Sequence, residues 1–78
     1  MTFNTELIGE LNILARYNLN TTQEGIKVHS HDASDDVIAA VSRLHSKGLV
    51  TQSDGGYLTS LGREAAQHSQ SVLSMLQG

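Results

Sequence analysis

The chain has no cysteine, no proline and no tryptophan. Without cysteine there is no disulfide and no thiolate metal site. A structural zinc usually takes four ligands, often sulfur. His29, His31 and Asp32 cluster, but His45 and His68 lie elsewhere, so neither a metal nor another cofactor is expected. Long apolar runs are also missing. Nothing approaches the roughly 20 residues that a membrane span needs, and no signal peptide is visible. The expectation is a soluble, cytoplasmic protein without membrane contact.

Positive charge is scarce too. Five Lys and Arg face eight Asp and Glu, for a net charge of −3. Lys and Arg contacts to phosphate dominate DNA affinity, so this balance counts against a simple nucleic-acid binder. There is no nucleophile elbow, no P-loop and no glycine-rich phosphate cradle. A sizeable substrate pocket is hard to build in one small core, so no enzyme is expected. The 78 residues make one domain, 1–78. A chain of this size buries only about 60–65% of its unfolded surface, which leaves its stability modest.

What is present is a patterned centre, residues 34–61. Val37, Val41 and Leu44 share one side of a helix, with Ile38 and His45 beside them, at the spacing of a half-buried helix. Ser34 or Asp32 can cap its start, and Asp35 and Asp36 suit the positive end of its dipole. Gly48 follows Lys47 as a stop. With Gly48 left-handed, Leu44 and Leu49 become the apolar pair of a Schellman ending. Leu49–Thr51 and Tyr57–Leu58 are β-prone, and Asp54-Gly55 between them suits a tight hairpin turn. Thr59 or Ser60 then caps a last helix.

Arg43-Leu44-His45-Ser46-Lys47-Gly48-Leu49-Val50, then Asp54-Gly55-Gly56-Tyr57-Leu58-Thr59, then Leu61-Gly62-Arg63-Glu64, resembles the wing of MarR-type and PadR-type winged-helix regulators. In those a helix ends in a Lys-Gly-Leu-Val-like turn, a glycine-containing wing follows, and a Leu-Thr-x-x-Gly helix start comes next. The match covers about a third of the chain. The whole length also resembles a family of short, uncharacterised proteobacterial proteins described only as DNA-binding. The resemblance implies an α+β, mainly helical winged helix-turn-helix. It would have three helices, a two-stranded wing and a C-terminal helix.

The flanks fit that plan. Phe3, Leu7, Leu11 and Leu14 line up at helical spacing over 4–17, with Asn4 as N-cap and Phe3 and Ile8 as a hydrophobic staple. Gly9 weakens this helix and suggests a close helix–helix contact. Thr21-Thr22-Gln23-Glu24 has a capping-box pattern, which predicts a short helix over 22–28. An extended segment at 25–29 is the alternative. Residues 30–33 would be the turn of the helix-turn-helix. The last helix, about 60–76, carries Leu61, Ala65, Val72 and Leu76 as a stripe.

The leading expectation is therefore a small DNA-binding protein, a transcriptional regulator, with helix 34–47 as recognition helix. Lys27, His31, Ser42, Arg43, Ser46 and Lys47 are its candidate contacts to double-stranded DNA. The alternative is a winged-helix protein-interaction module that binds no DNA, since fold does not fix function. The stripe of the last helix has two readings: packing on helix one within the chain, or pairing with a second copy in a homodimer. The latter is implied by the resemblance, because PadR-like proteins dimerise through a C-terminal helix.

Overall fold

The computed structural model describes residues 1–78. The chain forms α1 (Thr5–Leu14), β1 (Ile26–Lys27), α2 (Asp35–Ser46), β2 (Val50–Gln52), β3 (Gly55–Leu58) and α3 (Ser60–Gln77). The strands make one antiparallel sheet in the order β1-β3-β2. This is an α+β fold of three helices and a three-stranded sheet, with a hairpin between its last two helices.

Each helix starts on a side-chain cap. Asn4 Oδ1 accepts from Leu7 N at 2.8 Å, Ser34 Oγ from Val37 N at 3.3 Å, and Thr59 Oγ1 from Gly62 N at 3.0 Å. Such caps satisfy amide groups that the helix itself cannot. α2 ends as the sequence implies: Gly48 has φ +77°, Leu49 N donates to Leu44 O at 2.9 Å, and Gly48 N to His45 O at 3.0 Å. These are the two bonds of a Schellman ending.

Two expectations are corrected. No helix forms over 22–28. The extended alternative holds, and Ile26 and Lys27 pair with Gly56 and Gly55. The hairpin expected as a two-stranded wing is thus part of a three-stranded sheet with β3 in the middle. Gly25 explains the preference, because a Cβ there would sit 2.7 Å from Gly56 O. Strand pairing at this approach outweighs a weak capping box followed by glycine. After β1 only one turn remains, where Asp32 N and Ala33 N both donate to His29 O at 3.1 and 3.0 Å. No helix therefore stands between α1 and α2, where the expected helix-turn-helix needs one.

The positive angles of the hairpin turn fall one residue later than Asp54-Gly55, on Gly55 and Gly56 at φ +124° and +74°. The tip is Ser53-Asp54, since Gln52 already pairs with Gly55. Between the Val50–Leu58 and Gln52–Gly55 pairs the register shifts. Thr51 Oγ1 accepts from Tyr57 N at 3.0 Å there. Gly56 O accepts from the Tyr17 hydroxyl at 3.0 Å.

Ile13, Leu14, Tyr17, Ala40, Val41, Leu44, Val50 and Ala66 form the core. The inward face of α1 is therefore Glu10, Ile13 and Leu14, continuing to Tyr17. Phe3, expected on the same line, is 70% exposed. α1 also stops at Leu14, and Arg16 N and Tyr17 N turn back onto Ile13 O and Leu14 O. Two polar side chains of α3 hold this end. Gln70 Nε2 donates to Leu14 O and Tyr17 O at 3.1 and 2.9 Å, and Arg63 Nη2 to Leu19 O and Thr21 O at 2.8 and 3.2 Å. Burial pushes the Tyr17 hydroxyl up to about 12. No helix is long and apolar enough to cross a membrane.

Candidate functional site

The six candidate contacts separate into three groups. Arg43 and Lys47 are one turn apart on α2, so they reach the same neighbour. That neighbour is Glu10 of α1, which is 5% exposed. Arg43 Nε donates to Glu10 Oε2 at 3.0 Å, and Lys47 Nζ bonds the other oxygen, Oε1. Arg43 also reaches Glu6, through its backbone O at 3.2 Å and its carboxylate at 3.7 Å. Burial raises the Glu10 titration point, but the hydrogen bonds and charges of Lys47 and Arg43 outweigh it. The carboxyl is held below its ordinary value. A buried carboxylate needs such partners. The two cations of α2 are thus bound to α1.

By helical angle alone Arg43 and Lys47 point away from the core, and Glu10 is not among the candidate contacts. A signal was available, since Leu7, Glu10, Leu14 and Tyr17 repeat at 3-4-3 spacing. A carboxylate on that line must find a cation on the facing helix.

Lys27, His31 and Ser42 do come together. They line one open cleft with His29 and the hairpin tip at Ser53-Asp54. β1 supplies Lys27, the turn after it the two histidines, and the outer side of α2 the serine. Ser46 lies apart, exposed near the end of α2. Beyond Arg43 and Lys47, Arg63 is spent on two carbonyls. Of five cationic side chains, Arg16 and Lys27 keep free heads. The N-terminal part of α2 is acidic, with Asp35 and Asp36 exposed. No three His, Asp or Glu side chains converge at metal-ligand spacing.

The opposite side of α1 is different in kind. Phe3, Ile8 and Leu11 face Val72, Leu73 and Leu76 of α3 across an apolar groove of about 510 Å³. Its polar members are Asn12, His68 and Ser69, and it contains no Asp, Glu, Lys or Arg. From Ser71 onward every residue of α3 is exposed. Packing of the α3 stripe on helix one is legible in the sequence; what is not legible is that the packing leaves Phe3, Ile8, Val72, Leu73 and Leu76 exposed.

The geometry defines a small α+β module with one charged, closed helix seam and one open apolar groove. Residues 1–77 match the family described as a family of unknown function, DUF5669, and the chain belongs to that family. No curated protein and no solved structure matches it.

Proposed function

We propose that this chain is a winged-helix module that docks on protein and does not read DNA. The winged-helix reading rests on the Gly48 ending of α2, the hairpin that follows it and the Thr59-capped helix beyond. One observation carries the choice of partner: Arg43 and Lys47, the two cations of the would-be recognition helix, are held by Glu10 inside the α1–α2 seam. Its solvent side then offers Asp35, Asp36, Ala39, Ser42 and Ser46. Acids at the N-terminal end of such a helix meet phosphate unfavourably, and each lost Lys or Arg contact removes a counterion-release gain. The exposed apolar area lies elsewhere, along α1 and α3. Contiguous apolar surface of this kind marks protein contact.

The DNA reading keeps one supporting observation, the gathering of Lys27, His29, His31 and Ser42 beside the hairpin tip. Fluorescence anisotropy with a labelled genomic duplex at low salt separates the two. The expected result is no saturable binding at about 50 μM protein, a concentration within the range of non-specific dissociation constants. Saturable binding that Lys27→Ala abolishes would overturn the proposal in favour of the DNA reading.

A further inference from the structure

We infer that the cleft between β1, α2 and the hairpin tip is a binding site for a single phosphate monoester. The inference goes beyond the protein-docking reading, and the cleft shares no residue with the apolar groove.

The first argument is the state of its donors. Lys27, His29, Ser30, His31, Ser42 and Ser53 line the cleft. None of these side chains makes a hydrogen bond or an ion pair within the chain. The smaller hollow at the start of α3 is different. There Arg63 is bound to Leu19 O and Thr21 O, and Asn18 to Glu24. The cations of the α1–α2 seam are spent in the same way. Only at this cleft do a charged donor and several neutral ones gather with nothing of the chain's own to hold.

The second argument is that the walls are tied together. Val28 N donates to Asp54 O at 2.8 Å, which fastens the hairpin tip to the end of β1. Asp32 N and Ala33 N close on His29 O, which fixes the turn that carries both imidazoles. Ser42 stands on α2, the third wall. The apolar lining is Val28, Ile38 and Val41. The cleft holds about 410 Å³, within the roughly 300–1,000 Å³ of small-molecule sites.

The third argument is the kind of donor, and it selects the ligand. An ammonium is a compact point charge, and each imidazole or hydroxyl adds a single donor. Such a set suits the tetrahedral oxygens of a phosphate. The cleft has no Arg, whose planar fork pairs with a flat carboxylate. The apolar lining takes the carbon body of an ester. Charge then sets the number of phosphates. Duplex DNA carries one charge per about 1.7 Å of its axis, and affinity for it needs several cations. Lys27 is the only Lys or Arg in the cleft, and it stands beside Asp54. The other free cation, Arg16, lines a separate groove with Glu6 and Asp36. One ammonium among neutral donors matches one phosphate group and not a polymer.

An amide NMR titration of the full chain tests this, with phenyl phosphate as the probe. Saturable shifts are expected at residues 27–31, 42, 53 and 54, with a dissociation constant on the order of 1 mM. Lys27→Ala should weaken binding about tenfold and Ser42→Ala about threefold. Asp54→Asn removes the one acid of the cleft and should strengthen binding about threefold. The amide spectrum itself shows that each variant is folded. A phosphoserine peptide run alongside assigns the source. Binding tighter than that of phenyl phosphate places the ester on a protein partner, and equal or weaker binding places it on a small free ester. No saturable shift at about 20 mM phenyl phosphate overturns the inference. Binding that Lys27→Ala leaves unchanged also overturns it, and so does benzoate that binds as tightly as phenyl phosphate. A chain that takes neither phenyl phosphate nor the duplex loses only this inference, whereas duplex binding through Lys27 overturns the docking reading.

Discussion

Two seams run along α1, and they are built from opposite materials. Toward α2, Gly9 lies against Ala40, Ile13 and Leu14 enter the core, and Glu10 binds Arg43 and Lys47. Toward α3, the lining is apolar but for Asn12, His68 and Ser69, and most of it stays exposed. α2 buries Ala40, Val41 and Leu44 in 12 residues, while α3 buries only Gly62 and Ala66 in 18. An amphipathic stripe therefore does not by itself say what covers it. The α2 stripe is used up within the fold. Much of the α3 stripe is surplus to it, and that difference points to the side on which a partner belongs.

The largest predicted effect concerns the one place where α3 is pressed tightly onto the rest. A Cβ on Gly62 would stand 1.8 Å from Leu49 O. The first turn of α3 crosses the backbone that leaves the Gly48 turn, and Thr59 fixes the crossing by donating its hydroxyl to Gly48 O at 2.6 Å. Gly62→Ala must push α3 away from the hairpin. We expect a loss of about 3 kcal/mol, a large share of the roughly 4–12 kcal/mol available to a chain of this length. Urea denaturation checks it. A variant as stable as wild type would show that α3 is loosely seated along its whole length, which would erase the contrast between the seams.

Next comes the charged seam. Glu10→Gln leaves Arg43 and Lys47 facing a neutral amide. The expected cost is about 2 kcal/mol, below the full cost of an uncompensated buried charge because both cations keep partial access to water. The same pairing makes wild type acid-sensitive. The Glu10 carboxyl is held below its ordinary 4.5. Its contribution is complete above the unfolded value and is lost as pH falls through the lower folded one. Stability measured from pH 6 downward should decline less steeply in Glu10→Gln than in wild type. Parallel curves would show that the pair contributes nothing to holding α1 on α2.

Much of this was written in local signals. Asn4, Ser34, Thr59 and Gly48 act within four or five residues of the chain, and each does in the structure what its position implies. The strand at Ile26–Lys27 is legible only as an alternative, because its partners Gly56 and Gly55 are 30 and 28 residues away. A capping box is local and a strand pairing is not. The site was less legible still. Arg43 and Lys47 read as solvent-facing by helical angle, and only the position of α1 shows that Glu10 captures them. Phe3 lines up with Leu7, Leu11 and Leu14 by spacing, yet it stays exposed. Helical periodicity finds an apolar face but not which helix it meets.

A smaller effect tests how the sheet is tied to α1. Tyr17→Phe removes the hydroxyl that donates to Gly56 O, and we expect a loss of about 1 kcal/mol. The pH dependence is the sharper readout. An unfolded tyrosine ionises near 10, and Tyr17 in the folded chain near 12. Deprotonation therefore favours the unfolded chain over that window. Wild type should lose stability as pH rises from 10 toward 12, and the phenylalanine variant should lose less. Thermal melts across that range, with both proteins side by side, give the answer.

The smallest predicted change is a gain. Gly9 sits inside α1, where glycine costs roughly 1 kcal/mol relative to alanine. The suspicion that it marks a helix contact is right, since its nearest neighbour across the seam is Ala40. A Cβ at Gly9 would nevertheless lie 3.6 Å from the Ala40 Cβ, an ordinary contact, and 4.0 Å from Arg43 Nη2. Its backbone angle is not among the positive ones. Gly9→Ala should therefore raise the melting temperature by several degrees, as a gain of about 0.5–1 kcal/mol does in a domain of this size. Gly62→Ala, the same change on α3, goes the opposite way for a reason of distance alone. If Gly9→Ala lowers the melting temperature instead, the α1–α2 seam is packed as tightly as the crossing at Gly62, and the room at Gly9 is too small for a methyl group.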